Sequence, residues 1–546
     1  MPGDGVKLHA TTDVNRIEAP VTIKAYLMCA FAAFGGIFFG YDSGYINGVT
    51  ASKVFYQSIE GSEATALSGP HNSLIVSILS AGTFFGALFA GDLAEWYGRR
   101  PTIIAGCFVY TIGVIIQITH TTGLGRIVAG RLIAGIGVGF VSAIIILYMS
   151  EVAPRKVRGA LVSGYQFCIT IGLLLASCVD FATEKRTDTG SYRIPIGIQF
   201  AWGIILATGL FLLPESPRYL IKKGRIEDAR RVLERLRGQP GNSEYIEDEI
   251  AEIMANHEFE RQLIPDSGYW GSWYQCFTGG LWTSNSNLRK TILGTSLQMM
   301  QQWTGVNFIF YFSSTFLQST GAISNVFLTS MIFTIINVCS TPLSFWTMER
   351  FGRRPLLIYG ALGMFICQII VGAVGDTVGF NKTHTVGTTT VANSIPAVNA
   401  QVAFIAIYIF FFASTWGPGA WVVIGEIFPI PIRSRGVALS TASNWLWNTI
   451  ISVITPFMVA TDEGNLRSNV FWVWGSLCGC CFIYAYLLIP ETKGLSLEQV
   501  DQMMAETTPR TSSGWVPTKT FAQEMGMVGK ELVDNGSNHD NEKSEV

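Results

Sequence analysis

The stretch LQMMQQWTGVNFIFY, residues 297–311, sets four amides, Gln298, Gln301, Gln302 and Asn307, in a segment whose flanks read as a membrane-crossing helix. Amides in hydrocarbon cost free energy unless something hydrogen-bonds them. On a helix Gln298, Gln301 and Gln302 stand at i, i+3 and i+4 and share one face, while Asn307 lies well off it. Gly305 offers a place for the helix to bend or unwind and so bring Asn307 back, as broken helices do in transporter sites. An amide carries donors and acceptors together, which matches the hydroxyls of a polyol without burying a charge. The chemistry this spacing suggests is recognition of a neutral polar ligand. The alternative is that the amides only join neighbouring helices, at about 1 kcal/mol each.

Two charges lie in apolar runs. FFGYDSGYING puts Asp42 in the first and AGRLIAGIG puts Arg131 in the fourth. Intramembrane charges carry a functional expectation by default. Movement of Arg131 relative to Asp42 would change the proton occupancy of the carboxyl, which is a proton-coupling device. A permanent structural ion pair is the other reading. No nucleophile–base set, nucleotide-binding loop or metal cluster stands out, so neither an enzyme nor a cofactor is expected. The glycines at 135–139 sit in an apolar span, where they serve close helix packing.

The elements that must position these residues are membrane helices. Of 546 residues 49% are hydrophobic and only 14% charged, with 57 glycines, and the mean hydropathy is positive. About twelve runs long enough to cross a bilayer recur from residue 24 to residue 489. Arg99 and Arg100; Arg155, Lys156 and Arg158; the block from Arg218 to Lys290; Arg350, Arg353 and Arg354; and Arg433 and Arg435 all fall in alternate loops. Those loops, and hence both termini, are expected in the cytosol. The first span, with no cleavable signal before it, is the expected insertion signal. The ten cysteines lie mostly in apolar runs without the spacing of a zinc site and read as packing residues. Asn381 begins an Asn-Lys-Thr triplet in an outside loop and is a possible glycosylation acceptor.

The chain repeats itself. GDLAEWYGRRP at 91–101 returns as TMERFGRRP at 347–355, SEVAPRKVRGALVS at 150–163 as GEIFPIPIRSRGVALS at 425–440, and PESPR at 214–218 as PETKG at 490–494. The later motifs are spaced about 22 residues further apart, which one longer polar loop at about 376–399 explains. Motifs recurring in the same order on the same membrane side imply two parallel six-span repeats. The expected organisation is a cytosolic tail (1–23), a first half (24–214), a cytosolic linker (215–290), a second half (291–489) and a cytosolic tail (490–546). Ile226, Ala229, Val232, Leu233 and Leu236, then Ile246, Ile250 and Ile253, predict amphipathic helices bracing the linker. After Pro490 the tail is polar and reads as flexible.

The paired Gly-Arg-Arg loops resemble the signature of the major facilitator superfamily. AGRLIAGIGVGF, PESPRYL, QQWTGVN and PETKGLSLEQV resemble more specifically the sugar porter family, and MSEVAPRKVRGALVSGYQF its fungal monosaccharide transporters. The resemblance covers about residues 24–500. It implies an all-α integral membrane protein with the major facilitator fold: twelve transmembrane helices in two six-helix halves joined by a cytosolic helical linker. It also implies a plasma-membrane hexose transporter, most simply for glucose, that works as a monomer by alternating access. Its partners would be a monosaccharide, a proton and the lipid bilayer, with no nucleic acid.

Position by position, Gln166, Gln301, Gln302 and Asn307 match the family's sugar-contacting amides, and Asn337, Trp421, Asn444 and Trp445 resemble further contributions from later spans. Phe310 and Tyr311 are outer-gate candidates, with plain packing as the other reading. Proton–sugar symporters carry an aspartate where Asp42 stands, as do some fungal facilitators, so a uniporter and a transporter-like sugar sensor remain the alternatives. On physical grounds Glu95 and Glu349 beside Arg99 and Arg353, and Glu151 and Glu426 beside the Arg158 and Arg435 loops, predict ion-pair networks that hold the halves together on the cytosolic side. Trp96 stands where the superfamily loop often has a base, a place the second copy fills with Arg350.

Overall fold

A computed structural model describes residues 22–64, 67–183, 185–263, 269–281, 283, 286–311, 326–378, 383–386, 389–392, 394–459, 464 and 466–517. The first half contributes α1 (Ala25–Thr50), α2 (Gly69–Trp96), α3 (Arg99–Ile118), α4 (Gly125–Val152), α5 (Arg158–Thr183) and α6 (Gly190–Leu212). The second contributes α7 (Asn287–Trp303), α8 (Leu328–Ser340 and Leu343–Phe351, bent by 43°), α9 (Arg353–Thr377), α10 (Ile395–Glu426), α11 (Ile430–Val459) and α12 (Arg467–Leu488). Ten of these, counting α8 as one crossing, are long and apolar enough to traverse a bilayer. The other two, α7 and α11, are shorter or more polar because they carry Gln298, Gln301 and Gln302 and Asn444 and Asn448.

Small residues set the closest approaches. A Cβ on Gly40 of α1 would stand 2.0 Å from the Ile169 carbonyl of α5, so the two backbones touch there. In α4 the apolar residues Phe140 through Met149 are buried throughout, because α2 and α3 both pack against this helix. The halves meet where α2 packs on α11 and α5 on α8 and α10.

Between the halves run the helices Pro217–Lys222, Ile226–Arg237, Glu244–Leu263 and Tyr269–Gln275. Ile226, Ala229 and Leu233 bury against Ile246, Ile250 and Ile253 in a small core of their own, and Val232 lies half-buried at its edge. Arg237 grips Glu249 with two hydrogen bonds (3.0 and 2.7 Å) and donates to the Val152 carbonyl (3.2 Å), which fastens the linker to the end of α4.

Two features depart from the sequence reading. The long polar connection after α9 contains a short antiparallel hairpin, Thr383–Val386 against Thr389–Ala392, which leaves the chain all-α in class; Asn381 lies outside the described residues. Beyond Pro490 the chain is not simply loose: Leu497–Glu506 is a helix opened by a capping box of Ser496 and Gln499. It buries Val500 and Met503 and pairs Asp501 with Lys290 at the start of α7. Apolar residues spaced along a polar segment explain both the order and why composition hid it.

Candidate functional site

The ligand-facing part of the molecule begins at the break in α7. Gly305 takes φ +82, a left-handed conformation that ends the helix, and residues 306–311 resume it. Unwinding frees the Thr304 carbonyl, and three side chains meet it: Gln368 Nε2 (2.9 Å), the Tyr408 hydroxyl (2.8 Å) and Cys478 Sγ (3.5 Å). Non-helical backbone at membrane depth is tolerated on this condition. The break brings Asn307 onto Gln302, to which its amide nitrogen donates.

The amides of α7 largely satisfy one another and α11. Asn444 Nδ2 donates to Gln298 (2.7 Å) and Gln301 (2.8 Å), and Gln302 Nε2 donates to Asn444 Oδ1 (3.0 Å). Gln301 also donates to the carbonyls of Trp416 (3.1 Å) and Gly417 (2.9 Å), at the end of a π-helical turn, Phe412–Trp416, within α10. Gln298 donates to the Ala420 carbonyl (3.4 Å) and does not reach the cavity. The helix-joining alternative therefore describes Gln298 wholly and Gln301 in part.

Gln166 of α5 and Asn337 of α8 differ from this set. Neither side chain hydrogen-bonds to any described residue, and the Asn337 Oδ1 is buried without a partner. Both line a small cavity of about 60 Å³ at the seam of the halves, together with Gln301, Gln302, Asn307, Trp421 and Asn444. Trp421 stands edge-on to Tyr165 at 5.7 Å, with part of its indole in the wall. Trp445 does not line the cavity; it packs at 4.8 Å on Phe39, which does. Asn448, one helical turn beyond Asn444, also lines it and escaped the sequence reading, although the i, i+4 spacing marks it. Phe310 and Tyr311 form one wall; Asn448 donates to the Tyr311 hydroxyl (3.4 Å) and accepts from Ser80 of the other half (2.9 Å).

Asp42 and Arg131 are both fully buried but do not form a contact pair. Arg131 donates to the Tyr45 hydroxyl (2.7 Å) and the Ile75 carbonyl (2.7 Å). Among the described residues Asp42 accepts only a long bond from the Tyr110 hydroxyl (3.5 Å), and its second oxygen has no partner there. Another acid within a span, unremarked in the sequence, is the half-buried Asp180 of α5, which accepts from the Gly48 backbone N–H of α1 (3.2 Å).

At the arginine-rich end each half builds the same cluster. Arg99 holds Glu151 through two bonds of 2.9 Å, and Arg353 holds Glu426 at 3.2 and 2.9 Å. Ser216 and Thr492 donate to the same two glutamates (2.5 and 2.6 Å). Glu215 accepts from the backbone of Arg99 and Arg100, as Glu491 does from Arg353 and Arg354. Burial pushes the Glu215 carboxyl above the ordinary glutamate range, against hydrogen bonding from Ser216 and the charge of Arg99.

The pairing differs from the expected one. Glu151 and Glu426 take the arginines of the Gly-Arg-Arg turns, while Arg158 reaches the Leu495 carbonyl (3.5 Å) and Arg435 crosses the seam to Asp92 (3.1 Å). Trp273 of the linker donates to Asp92 (3.1 Å) and lies under the Arg435 guanidinium. Glu349, 3.7 Å from Arg353, accepts from the Ala160 backbone across the seam (3.1 Å), and Glu95 pairs with Lys222 of the linker (2.5 Å). Asp92 lies in the first Gly-Arg-Arg motif but drew no role from it, and Trp273 and Lys222 carried no motif of their own.

The Sugar (and other) transporter family profile matches residues 28–504. The chain is 43% identical over 516 residues to the major facilitator-type transporter ecdD of Aspergillus rugulosus, covering 93% of this chain and 92% of that one. It is 41% identical over 517 residues to a protein of Neurospora crassa named "Probable glucose transporter rco-3", covering 92% and 83%. Its fold matches the proton:xylose symporter XylE bound to 6-bromo-6-deoxy-D-glucose with a TM-score of 0.72 at 25% identity, over 88% of this chain and 99% of that one. With the twelve-helix fold and the repeated charged clusters, these matches make the chain a member of the sugar transporter family of the major facilitator superfamily, a transporter and not an enzyme.

Proposed function

We propose that the protein carries a hexose, glucose in the first instance, across the plasma membrane by alternating access, in symport with a proton. The observation that carries the sugar reading is the unspent hydrogen-bonding capacity of Gln166 and Asn337, which face each other's half across a cavity also lined by Asn307 and the Trp421 indole. Hydroxyls satisfy amides at the rim while an indole covers the apolar C–H side of a pyranose. The relatives named for glucose and the neighbour solved with a bromo-deoxyglucose support the same class.

The arginine-rich end is taken as cytosolic from the distribution of Lys and Arg. Contacts between the halves there, Asp92–Arg435 and Glu349–Ala160, close the inward path; Ser80–Asn448 joins the same α2–α11 pair as Asp92–Arg435, about three helical turns further from that end. Transport requires these to part alternately. In the symport reading a proton neutralises Asp42 in this conformation, where the carboxyl has no counter-ion in contact, and leaves when rocking brings Arg131 to it. The uniport reading draws on the same observation: an acid that never meets Arg131 exchanges no proton during the cycle. Labelled glucose uptake in cells without their own hexose transporters tests the sugar reading. Saturable uptake, lost in the double variant Gln166→Ala, Asn337→Ala while the protein still reaches the surface, is expected. Undiminished uptake in that variant would remove the cavity from the pathway, and no uptake by the intact chain would revive a sensor.

A further inference from the structure

A second cavity, remote from the sugar site, lies at the arginine-rich end between the start of α7, the end of α12 and the helix Leu497–Glu506. It encloses about 290 Å³, and its walls are Ile292 and Leu293, Leu488 and Pro490, and Met503 and Met504. Leu281, Ile292 and Leu488 at its margin are 43–53% exposed on the outer flank of the bundle, the surface that meets lipid tails. The mouth carries Arg289. Its neighbour Lys290 is turned inward and paired with Asp501, and Glu506 accepts from the Trp515 indole (2.6 Å) and Gln502. Asp501 and Glu506 are thus engaged elsewhere, and the Arg289 guanidinium has no carboxylate among the described residues.

We propose that this cavity binds one anionic phospholipid of the cytosolic leaflet, an acyl chain between Ile292 and Met504 and the headgroup phosphate on Arg289. A cation at the mouth of an apolar cleft, level with the ends of membrane spans on the basic side, complements that ligand in both parts. A zwitterionic lipid brings a phosphate whose charge its own ammonium already offsets, so it neutralises Arg289 less than a headgroup of net negative charge does; inorganic phosphate leaves the cleft empty. Since the cleft joins α7 to the C-terminal helix, an occupant fastens the base of the helix that carries the amide face. The inference rests on the cytosolic assignment of the arginine-rich end, not on the identity of the sugar.

The test uses the full chain in nanodiscs containing phosphatidylcholine or phosphatidylserine probes with a photoreactive acyl chain, and peptide mapping of the label. Labelling at 288–296 and 497–509 is expected to favour the serine lipid about fivefold, the ratio set by one cation at a charged surface. Arg289→Ala should abolish the preference and Arg289→Lys restore most of it. Met504→Trp should block labelling by both probes, with an unfolding temperature unchanged from the parent certifying each variant as folded. Equal labelling by both lipids, or a preference that survives Arg289→Ala, overturns the proposal. So does labelling that appears only after residues 518–546 are deleted, which would make that segment the occupant.

Discussion

At the residue scale, the amides of α7 divide into those that hold the protein together and those with capacity to spare, and the two kinds predict different phenotypes. Gln166→Ala removes hydrogen bonds only a ligand could use, so the KM for glucose should rise about fivefold, roughly 1 kcal/mol, with the unfolding temperature unchanged. Gln298→Ala strands one Asn444 donor and the Ala420 carbonyl, so it should cost on the order of 1–3 kcal/mol of stability and leave KM nearly alone. Uptake kinetics beside thermal unfolding of the two purified variants separate these outcomes; matched KM changes would refute the division. The i, i+3, i+4 spacing made the polar face visible, and Gly305 marked the break. Which amide faces which partner was not legible, because Gln298, Gln301 and Gln302 are chemically alike and their bonds run to Asn444 and α10, more than a hundred residues away.

At the element scale, a helix that must present amides gives up part of the signal by which it is recognised as a span. That is why α7 and α11 are the weakest spans by apolarity although they form much of the cavity wall. The break in α7 adds a second demand: Gly305 needs a left-handed φ, and a Cβ there would stand 2.7 Å from the Trp474 ring. Gly305→Ala should destabilise the protein by on the order of 1–3 kcal/mol and slow uptake, read by thermal unfolding and initial rates. A variant as stable and fast as the parent would show that the break is dispensable. The π-helical turn at Phe412–Trp416 and the hairpin after α9 left no pattern, since one depends on where Gln301 reaches and the other on a short polar stretch.

At the scale of the whole molecule, the duplication was readable from the motif offsets, and the structure repeats it bond for bond in the Arg99–Glu151–Ser216 and Arg353–Glu426–Thr492 clusters. The cross-seam bonds do not follow from duplication, because position 92 is Asp in one half and its counterpart 346 is Trp in the other. Asp92→Asn weakens the Asp92–Arg435 bridge, so hydrogen exchange in peptides covering 158–165 and 430–440 should quicken about fivefold, the yield of roughly 1 kcal/mol on a two-state balance. Unchanged exchange would mean that the bridge does not hold the seam. Asp42→Asn should abolish accumulation against a gradient while exchange of labelled for unlabelled glucose persists; retained accumulation would deprive Asp42 of its coupling role.

The most direct test of coupled hexose transport is the external pH when glucose is added to weakly buffered cells that express this chain and lack their own hexose carriers. The account predicts a transient alkalinisation that a protonophore and Asp42→Asn both remove. Glucose uptake with no change in pH would contradict it and leave a uniporter.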